Sequence, residues 1–199
     1  AYQRIKNGIH GSLVFNNEKL FEGRIYNPVN DDYEPITKIR VIGETYKFLK
    51  SHKFPYNIND LNIFNRNVLA FGEDLQKILS ELHVGIVGCG GTGSAVIEQL
   101  CRMGIGELTL VDFDNFEDSN ITRMHGSSIK DVNIPKVKVM EQMIKNIGLN
   151  TKVNAINERV TNINGILKLR NCDLIFSCID NTHFARALLS LLSLYYYIP

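Results

Sequence analysis

Two hydrophobic rhythms divide this chain. Through residues 1–54 the apolar positions come in short clusters, Leu13-Val14-Phe15 and Leu20-Phe21, set around Asn16-Asn17. Turn-forming residues between β-prone runs predict a hairpin over residues 12–26. Residues 39–48, with Val41, Tyr46 and Phe48, predict a further strand. Residues 51–60 are polar, hold Pro55, and read as a linker. So short a β piece buries little surface alone, and is expected to lean on its neighbour or to be the tail of a preceding domain.

From residue 61 the rhythm changes. Val68, Leu69, Leu75, Ile78, Leu79 and Leu82 recur at helical spacing. A short apolar run at 84–87 ends in Gly88-Cys89-Gly90-Gly91-Thr92-Gly93, after which Val96, Ile97, Leu100 and Cys101 mark a helix with one buried face. A second run at 108–111 is closed by Asp112. Val137, Met140, Ile144 and Ile147 again keep helical spacing, and 153–156 and 174–176 supply two more strands. Strands alternating with helices require parallel crossovers. The expected fold is therefore α/β: a Rossmann-like, doubly wound, mostly parallel sheet over 55–199, behind a small β-rich segment at 1–54. Ligands of such sheets bind beyond the carboxyl ends of the strands, where the glycine loop, Asp112 and Asp180 fall. The apolar stretch at 188–197 predicts a helix leading into a strand that these 199 residues do not contain, so the chain is expected to be a piece of a longer protein.

Composition narrows the function classes. At 44% hydrophobic and 22% charged residues there is ample material for a core. A net charge of +1 gives no reason to expect nucleic acid or an anionic membrane as partner. No run approaches the ~20 apolar residues of a membrane span, and the first residues lack a secretory layout. Cys89, Cys101, Cys172 and Cys178 form no CxxC pair, so neither a zinc site nor a disulfide framework is expected. A reduced, cytoplasmic protein is the simplest reading. His10, His52, His83, His125 and His183 make no HxH or HExxH pattern.

The candidate chemistry starts at the glycine loop. Glycines between a strand and a helix let the backbone approach a phosphate and aim free N–H groups at it, which gives Gly88, Gly90, Gly91 and Gly93 a purpose. Asp112, about twenty residues on, is placed to accept hydrogen bonds from ribose hydroxyls. A tight structural turn with Asp112 as a cap is the plain alternative. The loop alone leaves NAD and ATP undecided; a Walker-type loop is excluded, because no Gly-Lys-Ser or Gly-Lys-Thr follows. A helix terminus stabilises an exposed anion by only ~0.3–1 kcal/mol, so a triphosphate calls for converging cations. Arg123 and Lys136, with Lys138 beside it, supply them and tilt the reading to ATP.

Five separated segments now come together: Phe64-Asn65-Arg66-Asn67, Asp112-Phe113-Asp114, Ser119-Asn120-Ile121-Thr122-Arg123, Pro135-Lys136 and Cys178-Ile179-Asp180-Asn181. In this order the chain resembles the ThiF/MoeB/HesA family, which includes the adenylation domains of ubiquitin-activating enzymes. The resemblance covers about residues 62 to 199. It implies that the glycine loop and Asp112 hold adenosine and ribose, that Asn120, Arg123 and Lys136 contact the phosphates, and that Asp180 binds Mg2+. It further implies that Arg66 reaches the γ-phosphate of a partner protomer in a homodimer. The sequence departs from the family in having Asn67 and Met124 where glutamine usually follows the arginines, and it holds neither the region of the thioester cysteine nor the zinc-binding cysteine pairs.

The reaction implied is attack of a C-terminal carboxylate on the α-phosphate of ATP, with Arg66, Arg123, Lys136 and Asp180 carrying catalysis. A ubiquitin-like or sulfur-carrier protein ending in Gly-Gly is the expected partner; a ribosomal peptide or a modified tRNA nucleoside carboxylate would suit the same chemistry. Two rivals remain, an NAD-dependent oxidoreductase and a non-catalytic nucleotide-binding scaffold. The runs Gly11-Ser12-Leu13-Val14-Phe15 and Ile39-Arg40-Val41-Ile42 also resemble the end of a JAB-type metalloprotease domain, without its metal-binding histidines.

Overall fold

The computed structural model describes residues 9–15, 21–41, 47–50, 62–180 and 183–199. Two compact units divide the chain, Ala1–Pro55 and Tyr56–Pro199.

In the first unit β1 (His10–Phe15) pairs antiparallel with β2 (Phe21–Asn27), which pairs with β3 (Asp32–Pro35). The hairpin expected over 12–26 is this β1–β2 pair; its turn at 16–20 lies outside the described residues, as does the linker expected at 51–60. Cross-strand aromatics hold one face, with His10 stacked on Tyr26 at 4.7 Å and Tyr26 beside Tyr33 at 5.4 Å. The single strand expected over 39–48 is instead two, β4 (Lys38–Val41) and β5 (Lys47–Lys50), paired antiparallel with Val41 opposite Lys47. Both are β-prone, so periodicity alone ran them together across Gly43.

The second unit is a doubly wound sheet. Before it come α1 (Asn65–Phe71) and α2 (Glu73–Glu81), separated at Gly72, whose φ of 86° no helix can hold. The sheet then runs β6 (His83–Val87), α3 (Gly91–Arg102), β7 (Glu107–Val111), α4 (Lys136–Ile147), β8 (Lys152–Ile156), α5 (Ile163–Leu167), β9 (Leu174–Ser177) and α6 (His183–Tyr196). Its order is β8-β7-β6-β9 and every pair is parallel. The chain thus winds outward from β6 through β7 to β8, then crosses back to place β9 on the other side of β6. That reversal leaves a crevice between the ends of β6 and β9.

Both faces of the sheet are covered, which is why its central strands are apolar at nearly every position. Ile86, Leu108 and Leu110 meet Ile97 and Cys101 of α3 and Val137, Met140 and Ile144 of α4. Val87 and Val111 turn the other way, onto Ala185, Leu189 and Leu192 of α6. Each such side chain removed from water contributes about 1.5–3 kcal/mol. Gly85 keeps that second face thin, since a Cβ there would lie 2.8 Å from Leu169. The apolar stretch at 188–197 is helical through Tyr196. It buries one face and exposes Leu191, Leu194 and Tyr195, and the carbonyl of Pro199 accepts the amide of Ile175 on β9. No helix among the described residues is long and apolar enough to cross a membrane.

Close backbone approach decides two glycines. Gly88 has φ 94° and a Cβ there would stand 2.8 Å from the carbonyl oxygen of Cys178; a Cβ on Gly93 would overlap the carbonyl of Gly88. Over Gly90 nothing lies within 4 Å. Gly93→Ala is therefore expected to cost about 2–3 kcal/mol in denaturant melts, and Gly90→Ala less than ~0.5 kcal/mol.

Candidate functional site

The site forms where the turn after β6 meets the ends of β7 and β9. The N–H of Gly88 is taken by Val111 on β7 and that of Cys178 by Val87 on β6, so the three strand ends are laced together. Beyond them the loop 88–90 opens into the first turn of α3, whose amides face the space above Gly90.

Asp112 fixes that loop. One of its carboxylate oxygens accepts the N–H of Cys89 at 2.6 Å and the other the N–H of Asp114 at 2.8 Å. A carboxylate offers about four acceptor positions, so the ribose role suggested by sequence is compatible with these bonds, but Asp112 is first an anchor of the glycine loop. Cys89 is fully buried beneath it. Burial pushes its thiol well above the usual range; Asp112 and Cys178 push it further and Lys136 opposes them. Burial also raises Cys178. Both thiols are neutral at physiological pH and serve as packing, not as nucleophiles.

Lys136 opens α4. Its backbone N–H bonds the carbonyl of Asp114 at 2.9 Å and its ammonium lies 3.1 Å from the Asp114 carboxylate. The lysine side chain is 13% exposed, against 49% for its partner. Arg123 comes from the turn after the short 3-10 helix Asp118–Asn120. Its aliphatic stem lies against Gly91, where a Cβ would meet its Cγ and Cδ at 3.4 Å, and its guanidinium donates to the carbonyl of Ser119 at 2.9 Å. Arg123 thus lies on the glycine loop, and Lys136 is tied to it through Asp114 and Asp112.

Asn120 has a different position from its neighbours. It is 5% exposed, and its side-chain oxygen accepts the N–H of Glu117 at 3.1 Å. Its own carbonyl accepts the N–H groups of Arg123 and Met124. The structure therefore shows Asn120 as the support of the segment that carries Arg123.

Asp180 follows β9 and is exposed on the same edge of the sheet. The guanidinium of Arg186, on α6, donates to the backbone carbonyls of Ile179 and Asp180 at 2.9 and 3.1 Å. Sequence reasoning passed over Arg186. The available signal was its place six residues after Asp180, within the first turn of a helix that starts at the site.

Arg66 does not join this cluster. The ring of Phe64 packs on Gly104, Leu79 accepts the N–H of Gly106, and Leu82 that of Glu107, so α1 and α2 attach at the amino ends of the strands. Arg66 is exposed there, across the sheet from the glycine loop.

Among the described residues no three His, Cys, Asp or Glu side chains gather as a metal cage. An exposed single carboxylate such as Asp180 suits Mg2+, which is held by one or two carboxylates with substrate phosphates and water completing its shell. Nothing crowds Gly90, and the stem of Arg123 lies on the neighbouring Gly91, an opening in which a phosphate could be received.

Comparisons with known proteins agree with this fold. The ThiF family model matches residues 64–199. The tRNA threonylcarbamoyladenosine dehydratase 2 of Saccharomyces cerevisiae is 38% identical over 118 residues, covering 58% of this chain and 26% of its own. The molybdopterin-synthase adenylyltransferase of Escherichia coli is 32% identical over 120 residues, covering 59% of this chain and 48% of its own. The solved structure of the E. coli tRNA N6-threonylcarbamoyladenosine dehydratase with AMP superposes with a TM-score of 0.68 at 26% identity, over 74% of this chain and 60% of that one. The same enzyme holding ATP gives 0.65. The chain spans between about a quarter and a half of the length of these curated relatives. From its first helix to its last residue, this chain belongs to the ThiF family.

Proposed function

We propose that this chain carries the nucleotide site of an ATP-dependent adenylyltransferase that activates a carboxylate. What carries the reading is the stem of Arg123 on Gly91 and the tie of Lys136, through Asp114 and Asp112, to the Cys89 amide of the glycine loop, with Asp180 after the adjacent strand β9. A dinucleotide pyrophosphate needs less positive charge, and an NAD-dependent oxidoreductase leaves those three residues without a joint purpose. The family relatives with ATP and AMP bound favour the same choice.

The chemistry asks little of acids and bases. A C-terminal carboxylate has a reference pKa near ~3.5 and is already ionised at neutral pH. One of its oxygens bonds to the α-phosphorus as the bond from that phosphorus to the bridging oxygen breaks. Pyrophosphate leaves with the electron pair and an acyl-adenylate remains. The barrier lies in bringing anions together and stabilising the leaving group, so positioning and electrostatics dominate. In this reading Gly88, Gly90, Gly91 and Gly93 cradle phosphates, Asp112 shapes the loop and meets the ribose, Asn120 supports Arg123, and Arg123 and Lys136 take the charge. Mg2+ held by Asp180 would supply further neutralisation of the phosphates.

Arg66 fits only through a second copy. Its place at the amino edge keeps it from the glycine loop of its own protomer, so a homodimer that presents Arg66 in trans completes the site. The exposed Leu69 and Phe71 of α1 supply apolar surface for such a contact. For the acceptor, a ubiquitin-like or sulfur-carrier protein ending in Gly-Gly is the first choice, in line with an adenylyltransferase relative that acts on a synthase. A modified tRNA nucleoside carboxylate is the second reading, favoured by the 38% identity to a tRNA-modifying relative.

Three outcomes are expected. In the full-length protein, ATP–pyrophosphate exchange depends on the acceptor, and Asp180→Ala lowers it by at least ~100-fold; undiminished exchange removes Asp180 from the mechanism. The same assay run with a Gly-Gly-ending carrier and with tRNA identifies the acceptor class, and binding of ATP with no exchange under either leaves only a scaffold role. Mixing Arg66→Ala with Asp180→Ala protein restores roughly one quarter of wild-type exchange, as random reassortment of a two-fold dimer requires. No recovery on mixing means that Arg66 does not act across an interface.

A further inference from the structure

We propose that Ser94, backed by His125 and Glu98, is the positioning device that sets Arg123 against the glycine loop; this rests on the adenylating reading above. Ser94 sits in the first turn of α3 and is fully buried. Its hydroxyl donates to the carbonyl of Gly91 at 3.0 Å and accepts the N–H of His125 at 2.9 Å. One oxygen therefore ties the helix that opens at the glycine loop to a segment 31 residues further along the chain. Donation to Gly91 fixes the hydroxyl rotor, which leaves its lone pairs aimed at His125.

A second fastening lies one turn along the same helix. The Nδ1 of His125 is 3.0 Å from a carboxylate oxygen of Glu98, whose other partner is the Arg102 guanidinium at 2.8 Å. Hydrogen bonds from Arg102 and His125 hold the Glu98 carboxyl below its usual range, so it remains an anion at neutral pH. Between these fastenings and the 3-10 turn stands Arg123. Its stem crosses Gly91 and its guanidinium is steadied by the carbonyl of Ser119. The residue is exposed, and a long cationic side chain in solvent loses considerable rotamer freedom when it must hold one pose. Fixing the backbone on both sides of Arg123 lowers that loss before phosphate arrives. Ser94 itself is buried beneath the loop and touches no ligand; it acts through Arg123.

The test is a double-mutant cycle read by titration calorimetry on the full chain, with MgATP and with adenosine. Ser94→Ala is expected to weaken MgATP binding about tenfold, the worth of one buried hydrogen bond to a positioned group. Adenosine affinity is expected to stay within about twofold, and Ser94→Ala is expected to add nothing to the loss caused by Arg123→Ala. Losses that multiply in the double variant, or an equal fall for adenosine, overturn the proposal. If Ser94→Ala does not fold, Glu98→Gln takes its place. It must weaken MgATP binding by a smaller factor, with the same lack of additivity towards Arg123→Ala; an unchanged affinity or an additive loss overturns the proposal equally. A wild-type chain that binds neither ligand removes the nucleotide site itself, and with it the reading on which this device depends.

Discussion

The site depends on how closely the turn after β6 can pass the end of β9. Gly88 presses against the carbonyl of Cys178, and Gly93 lies beneath the carbonyl of Gly88. Without side chains at those two points the loop folds tightly enough for α3 to begin at once, with its first amides facing the crevice. The strand order β8-β7-β6-β9 creates that crevice, and Asp112 keeps it in shape by holding the Cys89 amide from the neighbouring strand. Backbone geometry therefore comes first, and the charged side chains are arranged around it.

The two cationic side chains beside the glycine loop each have a partner within the chain. Lys136 rests on Asp114 and Arg123 on the carbonyl of Ser119. An ion pair with a half-exposed carboxylate is worth about 0–1 kcal/mol, so in the proposed reading its exchange for a phosphate costs little. In the proposed reading Asp114 is thus a holding partner for Lys136. Asp180 is treated in the same manner, except that its backbone is fixed, by Arg186. Buried or backbone contacts determine where each group sits; Arg123 and Asp180 are exposed, while the Lys136 side chain is mostly covered.

Much of the second unit was legible because burial on two faces imposes long apolar runs and helical periods that nothing else produces. The four parallel strands and the helices α3 and α4 emerge from that pattern. The break at Gly72 and the division of 39–48 into β4 and β5 did not, because periodicity does not record where the backbone leaves an element. The segments bearing Arg123, Lys136 and Asp180 were legible as family motifs, but their support was hidden. Ser94 reads as an ordinary small helix residue and His125 as one unpatterned histidine among five. Arg66 was legible as a residue and not as a location; only the packing of Phe64 on Gly104 sends it to the far edge of the sheet.

The most direct measurement is the relative affinity of this chain for MgATP and AMP, titrated side by side, in the wild type and in Lys136→Ala. A site built around a triphosphate binds MgATP at least about tenfold more tightly than AMP, and loses most of that preference when Lys136 is removed. Equal affinity for the two nucleotides in the wild type, or a preference untouched by Lys136→Ala, would contradict the claim that these cations converge on phosphate.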